Sequence, residues 1–183
     1  VVFSKDGTRL IACPSNKAGA YAIPQGVLEI GPHAFENCND LTEVTIPASV
    51  VSIVVNPFDY AQLELKLAPE NPEFSLIDGV LFDKTGTKLL VYPCGRPGDA
   101  YEIPEGTTEI GAFAFAGCRQ LSKVTIPESV TAIESDSFWN CDNLQLYVWD
   151  GSYAQQYARE RRMDFFYILP DMGPVIDESD VLD

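Results

Sequence analysis

The residues able to do chemistry in this chain are few, and their spacing argues against catalysis. His33 is the only histidine. A serine or cysteine nucleophile needs a nearby base that is itself held by a third group. His33 stands instead at a position that varies along the chain, filled in equivalent segments by Asn56, Phe113 and Asp136. It is therefore expected to be an exposed surface residue. The five cysteines, Cys13, Cys38, Cys94, Cys118 and Cys141, contain no C-x-x-C pair, which argues against a zinc site or a disulfide scaffold. Cys38, Cys118 and Cys141 share one sequence phase and are expected to pack as buried free thiols. A Cys118–Cys141 bridge between adjacent rungs is the alternative. The Ser4–Thr8 and Asp83–Thr87 segments lack the alternating oxygen ligands of a calcium loop and read as turns. Glu29 and Glu109 recur like structural residues, which is not how a catalytic carboxylate pair is placed. No catalytic residue, cofactor or metal site is expected.

What organises these residues is repetition. Positions 20–53 and 100–133 align without a gap at an offset of 80, with 19 of 34 positions identical. Within each copy runs a shorter period of 23 residues, from Ile23 to Ile46, Phe35 to Phe58, Ile103 to Ile126, Phe115 to Phe138 and Cys118 to Cys141. A fixed short period with apolar residues in phase marks a solenoid, in which each coil buries its face only against its neighbours. Leu41-x-x-Val44-x-Ile46 alternates and stops at Pro47, as a short strand does. Stacked strands form a parallel sheet. Ala34-Phe35 and Ala114-Phe115 fall on the return segment, where a helical or 3₁₀ turn drives the Phe inward. Ile23, Ile46, Ile103, Ile126, Phe35, Phe58, Phe115 and Phe138 are expected in the core.

A second unit separates the coil pairs. Positions 1–11 and 80–90 match at an offset of 79, each with two apolar runs around a glycine turn, and read as β-hairpins. The predicted order is a hairpin (1–14), coils at 20–44 and 45–67, a connector and hairpin (70–94), coils at 100–124 and 125–148, and an end segment (149–169). Together these make one domain over 1–169. Ser152 is the expected N-cap of a helix beginning at Tyr153, with Arg159, Arg161 and Arg162 near its C-terminal end. Phe165–Ile168 reads as a last strand, so 149–169 would close the open end. Residues 170–183 read as an acidic tail or linker. The chain starts inside a repeat unit, and the parent protein is expected to extend upstream.

The net charge of -15 and pI of 4.3 argue against nucleic acid and against anionic lipid as partners. No apolar run reaches the length of a membrane span.

The pattern L-x-x-V-T-I-P-x-S-V-x-x-I-x-x-x-x-F-x-x-C, seen in Leu121–Cys141, resembles the BspA-type leucine-rich repeat. The hairpin unit and the terminal Gly-Ser-Tyr-Ala-x-x-Tyr-Ala resemble segments of the same family. The resemblance implies a right-handed α/β leucine-rich-repeat solenoid and an extracellular or cell-surface role in adhesion, with a protein or glycan partner of unknown identity. It names no ligand, because fold does not fix function. The strand side chains facing outward (Thr42, Glu43, Thr45, Glu102, Ser122, Lys123, Thr125) are small and mixed in charge and make no hot spot. The irregular parts are better candidates. Phe58, Tyr60, Phe74 and Trp139 are the candidate ligand-binding residues, although Phe58 also falls in the core register. Partial burial against the end segment or a loop is the structural alternative for Trp139. A structural spacer in a larger surface protein is the functional alternative.

Overall fold

The computed structural model describes residues 1–53, 55–169 and 173–174. Each coil has a longer strand, a proline turn, a two-residue strand and a tight return. In Leu41–Ile46 the buried residues are Leu41, Val44 and Ile46, and Pro47 ends the strand. Gly19–Ala22, Leu41–Ile46 and Glu64–Leu67 pair in parallel. Ala100–Glu102, Lys123–Thr125, Gln145–Val148 and Phe165–Leu169 do so in the second half. Phe165–Leu169 is the predicted last strand. It also pairs antiparallel with Gly173–Pro174.

A second set of ladders was not foreseen. Glu29–Ile30 and Ser52–Ile53 stack on Arg9–Ala12, and Glu109–Ile110 and Ala132–Ile133 stack on Lys88–Val91. Two residues per rung are too few to read as strands from a sequence. The hairpins are thus not separate modules, because the second strand of each is the first rung of a parallel ladder. The middle hairpin, extended by Phe74–Ile77, lies between the halves. Alternation turns Leu81 to the first core and Val80 and Phe82 to the second, Phe74 also joins the first, and a register shift between Leu89 and Val91 sends Leu89 to the second core and Val91 to the first.

The eight predicted core residues are all buried. The returns are runs of i→i−3 bonds, as in Ala34→Gly31, Cys38→Phe35 and Leu41→Cys38, and no helix forms there. Their phenylalanines stack at one ring per rung, with Phe35–Phe58 at 5.0 Å, Tyr92–Phe115 at 5.1 Å and Phe115–Phe138 at 4.9 Å. The helix Tyr153–Arg161 is capped as predicted, Ser152 Oγ accepting from Gln155 N at 3.2 Å, and it buries Ala154, Tyr157 and Ala158.

The expected free-thiol ladder is corrected. Cys118 is bridged to Cys94, with Cα atoms 4.7 Å apart, and Cys13, Cys38 and Cys141 are free. Cys118 has a neighbouring rung on each side. Because the hairpin joins the stack, Cys94 is one of those neighbours, and that is the sulfur Cys118 meets. Cys141, on the other side, has its thiol 3.1 Å from the carbonyl of Phe115. The acidic tail beyond Pro174 lies outside the described residues.

Candidate ligand site on the return face

The returns share one frame with different residues set into it. Two positions before the core phenylalanine stand His33, Asn56, Phe113 and Asp136. One position after it stand Glu36, Asp59, Ala116 and Trp139. Two positions after it the backbone is left-handed in every coil, at Asn37 (φ 56), Tyr60 (φ 62), Gly117 (φ 76) and Asn140 (φ 55). Gly and Asn are the residues that tolerate this conformation. Tyr60 is the exception, and left-handed backbone costs a bulky residue about 1–2 kcal/mol.

Its neighbours explain the exception. The Tyr60 ring lies over Gly117, where a Cβ would come within 2.4 Å of it, and Tyr60 Oη accepts from Asn140 Nδ2 at 2.5 Å. One side chain thereby joins the second coil to the third and fourth. Asn56 joins the second coil to the third below the surface. Its Nδ2 donates to Phe113 O at 2.8 Å and its Oδ1 accepts from Phe58 N at 2.8 Å. The irregular Val55-Asn56-Pro57 segment is thus the seam between the halves.

At this seam lies an open surface hollow of about 420 Å³, lined by His33, Glu36, Asp59, Tyr60, Phe113, Asp136 and Trp139. It shares Glu36 and Tyr60 with an adjoining hollow that reaches Arg119 and Asn140, and Asp136 and Trp139 with a third that reaches Tyr157 and Arg161. The result is a furrow across four coils. Trp139 is 53% exposed, and it shares the third hollow with Tyr157, Arg161 and Met163 of the end segment. His33 is exposed, as expected, but it has a partner in Asp59, Nδ1 to Oδ2 2.9 Å, and its ring meets Phe113 edge-on at 5.5 Å. The lining of this hollow contains no serine, threonine or cysteine.

Of the four candidate residues, the structure brings Tyr60 and Trp139 into one hollow. Phe58 and Phe74 are 2% and 6% exposed and belong to the core. Sequence reasoning missed Asp59 as the partner of His33 and Asp136 as a lining residue of the same hollow. It also passed over the signal at Tyr60, an aromatic in a column otherwise made of Asn and Gly.

The family model for the BspA type leucine rich repeat region matches in six copies, over residues 14–85 and 98–156. The chain belongs to the BspA-type leucine-rich-repeat family. Among solved structures it is similar to a leucine-rich repeat protein from Eubacterium ventriosum, at 23% identity and a TM-score of 0.60, covering 73% of this chain and 42% of that one. A leucine rich cell surface protein from Faecalibacterium prausnitzii is 34% identical with a TM-score of 0.48, over 85% and 39% of the two chains. The pneumococcal vaccine antigen PcpA is 15% identical with a TM-score of 0.45, over 80% and 67%. The chain thus spans about two fifths of the length of the first two. No curated protein matches it. Among the described residues, no helix is long and apolar enough to cross a membrane.

Proposed function

We propose that this family member is a non-enzymatic adhesion module of a bacterial surface protein, and that it takes a protein or glycan ligand in the furrow of the return face. The observation that carries this is the pairing of an open Trp139 with Tyr60 and Phe113 above Glu36 and Asp136, in positions where the repeat frame is constant and its occupants differ. Aromatic faces with adjacent carboxylates suit a sugar ring or a basic side chain, and rigid aromatics are what binding hot spots are made of. The first sheet face presents mainly small polar groups, and the second carries one aromatic pair, Tyr147 stacked on Phe166 at 5.3 Å, which Lys123 Nζ covers at 4.0 Å from the Tyr147 ring. The same proposal has the solenoid wind right-handed, as parallel crossovers do, with the helix Tyr153–Arg161 covering its downstream end.

The test is binding of the purified domain to glycan and matrix-protein arrays and to whole cells, in parallel with Trp139→Ala and with a sheet-face variant, Glu102→Gln. Loss of binding in Trp139→Ala alone supports the furrow. Uniform absence of binding by the folded domain favours the spacer. Loss only in the sheet variant moves the site to the sheet.

A further inference from the structure

We propose that His33, Glu36 and Asp59 form a binding site for a divalent transition-metal cation at one end of the furrow. One donor atom from each lies within 4.8 Å of the others. The closest pair, His33 Nδ1 and Asp59 Oδ2, stands at 2.9 Å. With metal–donor bonds of about 2.1 Å, adjacent ligands of an octahedral cation are about 3 Å apart, so this pair already has the spacing of two neighbouring ligands. Glu36 is exposed and can swing its carboxylate inward.

The second observation is independent of the clustering. Asp59 is only 3% exposed, and among the described residues nothing donates a hydrogen bond to its Oδ1. A buried carboxylate holding one partner on two oxygens is costly. Charge around it makes matters worse, because Glu36 and Asp136 line the same hollow with no Lys or Arg. A divalent cation chelated by both oxygens of Asp59 removes both costs, since it neutralises the carboxylates and gives Oδ1 its missing partner. The donor set selects the class. Imidazole with carboxylate suits zinc, manganese, cobalt or nickel, whereas calcium and magnesium prefer oxygen alone.

The site shares the furrow of the proposed adhesin, but it does not depend on a macromolecular ligand. A domain that binds no glycan or protein yet holds metal leaves the inference standing.

The experiment is calorimetric titration of the chelator-stripped domain with Co2+ and Zn2+, alongside the visible spectrum of the Co2+ form and tryptophan fluorescence in a Trp149→Phe background, where Trp139 is the emitter. The expected result is one cation per chain with a micromolar-range Kd and a change in Trp139 emission. His33→Ala and Asp59→Asn should each weaken binding tenfold or more, and Glu102→Gln should leave it unchanged. His33 is exposed, so its variant folds even where Asp59→Asn does not, and the thermal melt of each metal-free variant checks this. The inference is overturned by no binding at millimolar metal or by unchanged affinity in His33→Ala. It is also overturned by a thiolate-to-cobalt charge-transfer band, which would place the metal on the free cysteines.

Discussion

Tyr60 and Asn140 are 80 residues apart in the chain and share a 2.5 Å hydrogen bond that ties the second coil to the fourth. The contact depends on Gly117 between them, whose missing side chain leaves room for the ring. Gly117→Ala places a Cβ within 2.4 Å of that ring at a φ of +76. It is expected to cost about 1–2 kcal/mol from backbone alone, more if the ring cannot swing away, and to deform the furrow. Tyr60→Ala/Gly117→Ala should recover the steric part while keeping the backbone part. Denaturant unfolding of the four proteins in the cycle checks this, and simple additivity would mean that the ring and Gly117 do not meet.

The Cys94–Cys118 bridge spans 24 residues, for which the chain-entropy model gives about 3 kcal/mol. Denatured, unreduced protein should titrate three thiols, and reduced protein five. Reduction or Cys94→Ser should lower Tm by roughly 6–12 °C. Native protein should alkylate slowly, because burial, with the neighbouring Cys13 as a lesser cause, pushes the Cys38 thiol up to about 12. Burial also pushes the Cys141 thiol up to about 11. Five reactive thiols in unreduced denaturant would remove the bridge.

The solenoid was legible because it is written twice at two periods, and each apolar position appears several times in phase. The core residues followed from that redundancy. What repetition could not show was anything made by contact between unlike units. The bridge joins a hairpin cysteine to a coil cysteine, and these have different sequence phases, so comparing coils with coils led to a ladder of free thiols with Cys118–Cys141 as the alternative. The two-residue strands leave too short a trace for any periodicity. The site was half legible. Trp139 stood out as an aromatic at a variable position, but its convergence with Tyr60, Phe113 and Asp136 depends on how Asn56 docks the second coil onto the third. That seam occurs once in the chain, so no repeat reports it.

A pH-dependent prediction concerns the middle hairpin. Asp83 Oδ1 accepts from Thr87 N at 2.8 Å and Lys88 N at 2.9 Å, and Oδ2 accepts from the hydroxyl of Thr85 at 2.6 Å. Burial raises the carboxyl, but bonds from Lys88, Thr85 and Thr87 outweigh it and hold it below its ordinary 3.8. A folded value below the unfolded one means the charge stabilises the fold above the unfolded value, and that this is lost as pH falls through the folded value. Asp83→Asn should therefore lose on the order of 1 kcal/mol at pH 7, with the gap to wild type closing below about pH 4. Melts at pH 7, 5 and 3 decide it. A gap that persists unchanged at pH 3 would show that shape, not charge, matters there.

The last prediction concerns Asn71, which is 1% exposed and sits where the first pair of coils hands over to the hairpin. Its Nδ2 donates to Pro47 O at 3.0 Å and Val50 O at 2.9 Å, and its Oδ1 accepts from Glu73 N at 3.0 Å and Phe74 N at 2.9 Å. Both amide protons and both lone pairs are used. The two carbonyls belong to the proline turn between the strands Leu41–Ile46 and Ser52–Ile53, and the two N–H groups begin the strand Phe74–Ile77. Asn71 therefore stands in for the rung that a further coil would supply. Asn71→Leu keeps the volume but removes the Asn71 bonds to Val50 O and to the Glu73 and Phe74 N–H groups, while Pro47 O keeps its bond from Val50 N at 3.3 Å. At about 1–3 kcal/mol for each buried group left unsatisfied, even partial relaxation should leave a loss of about 3 kcal/mol or more. Asn71→Asp retains the acceptor and should lose less, since Phe74 N and Glu73 N keep their bonds while Val50 O does not. Chemical denaturation ranks the two, and hydrogen exchange at Glu73 and Phe74 locates the damage. Equal losses in both variants would mean that the donated bonds carry the joint and the accepted ones add nothing.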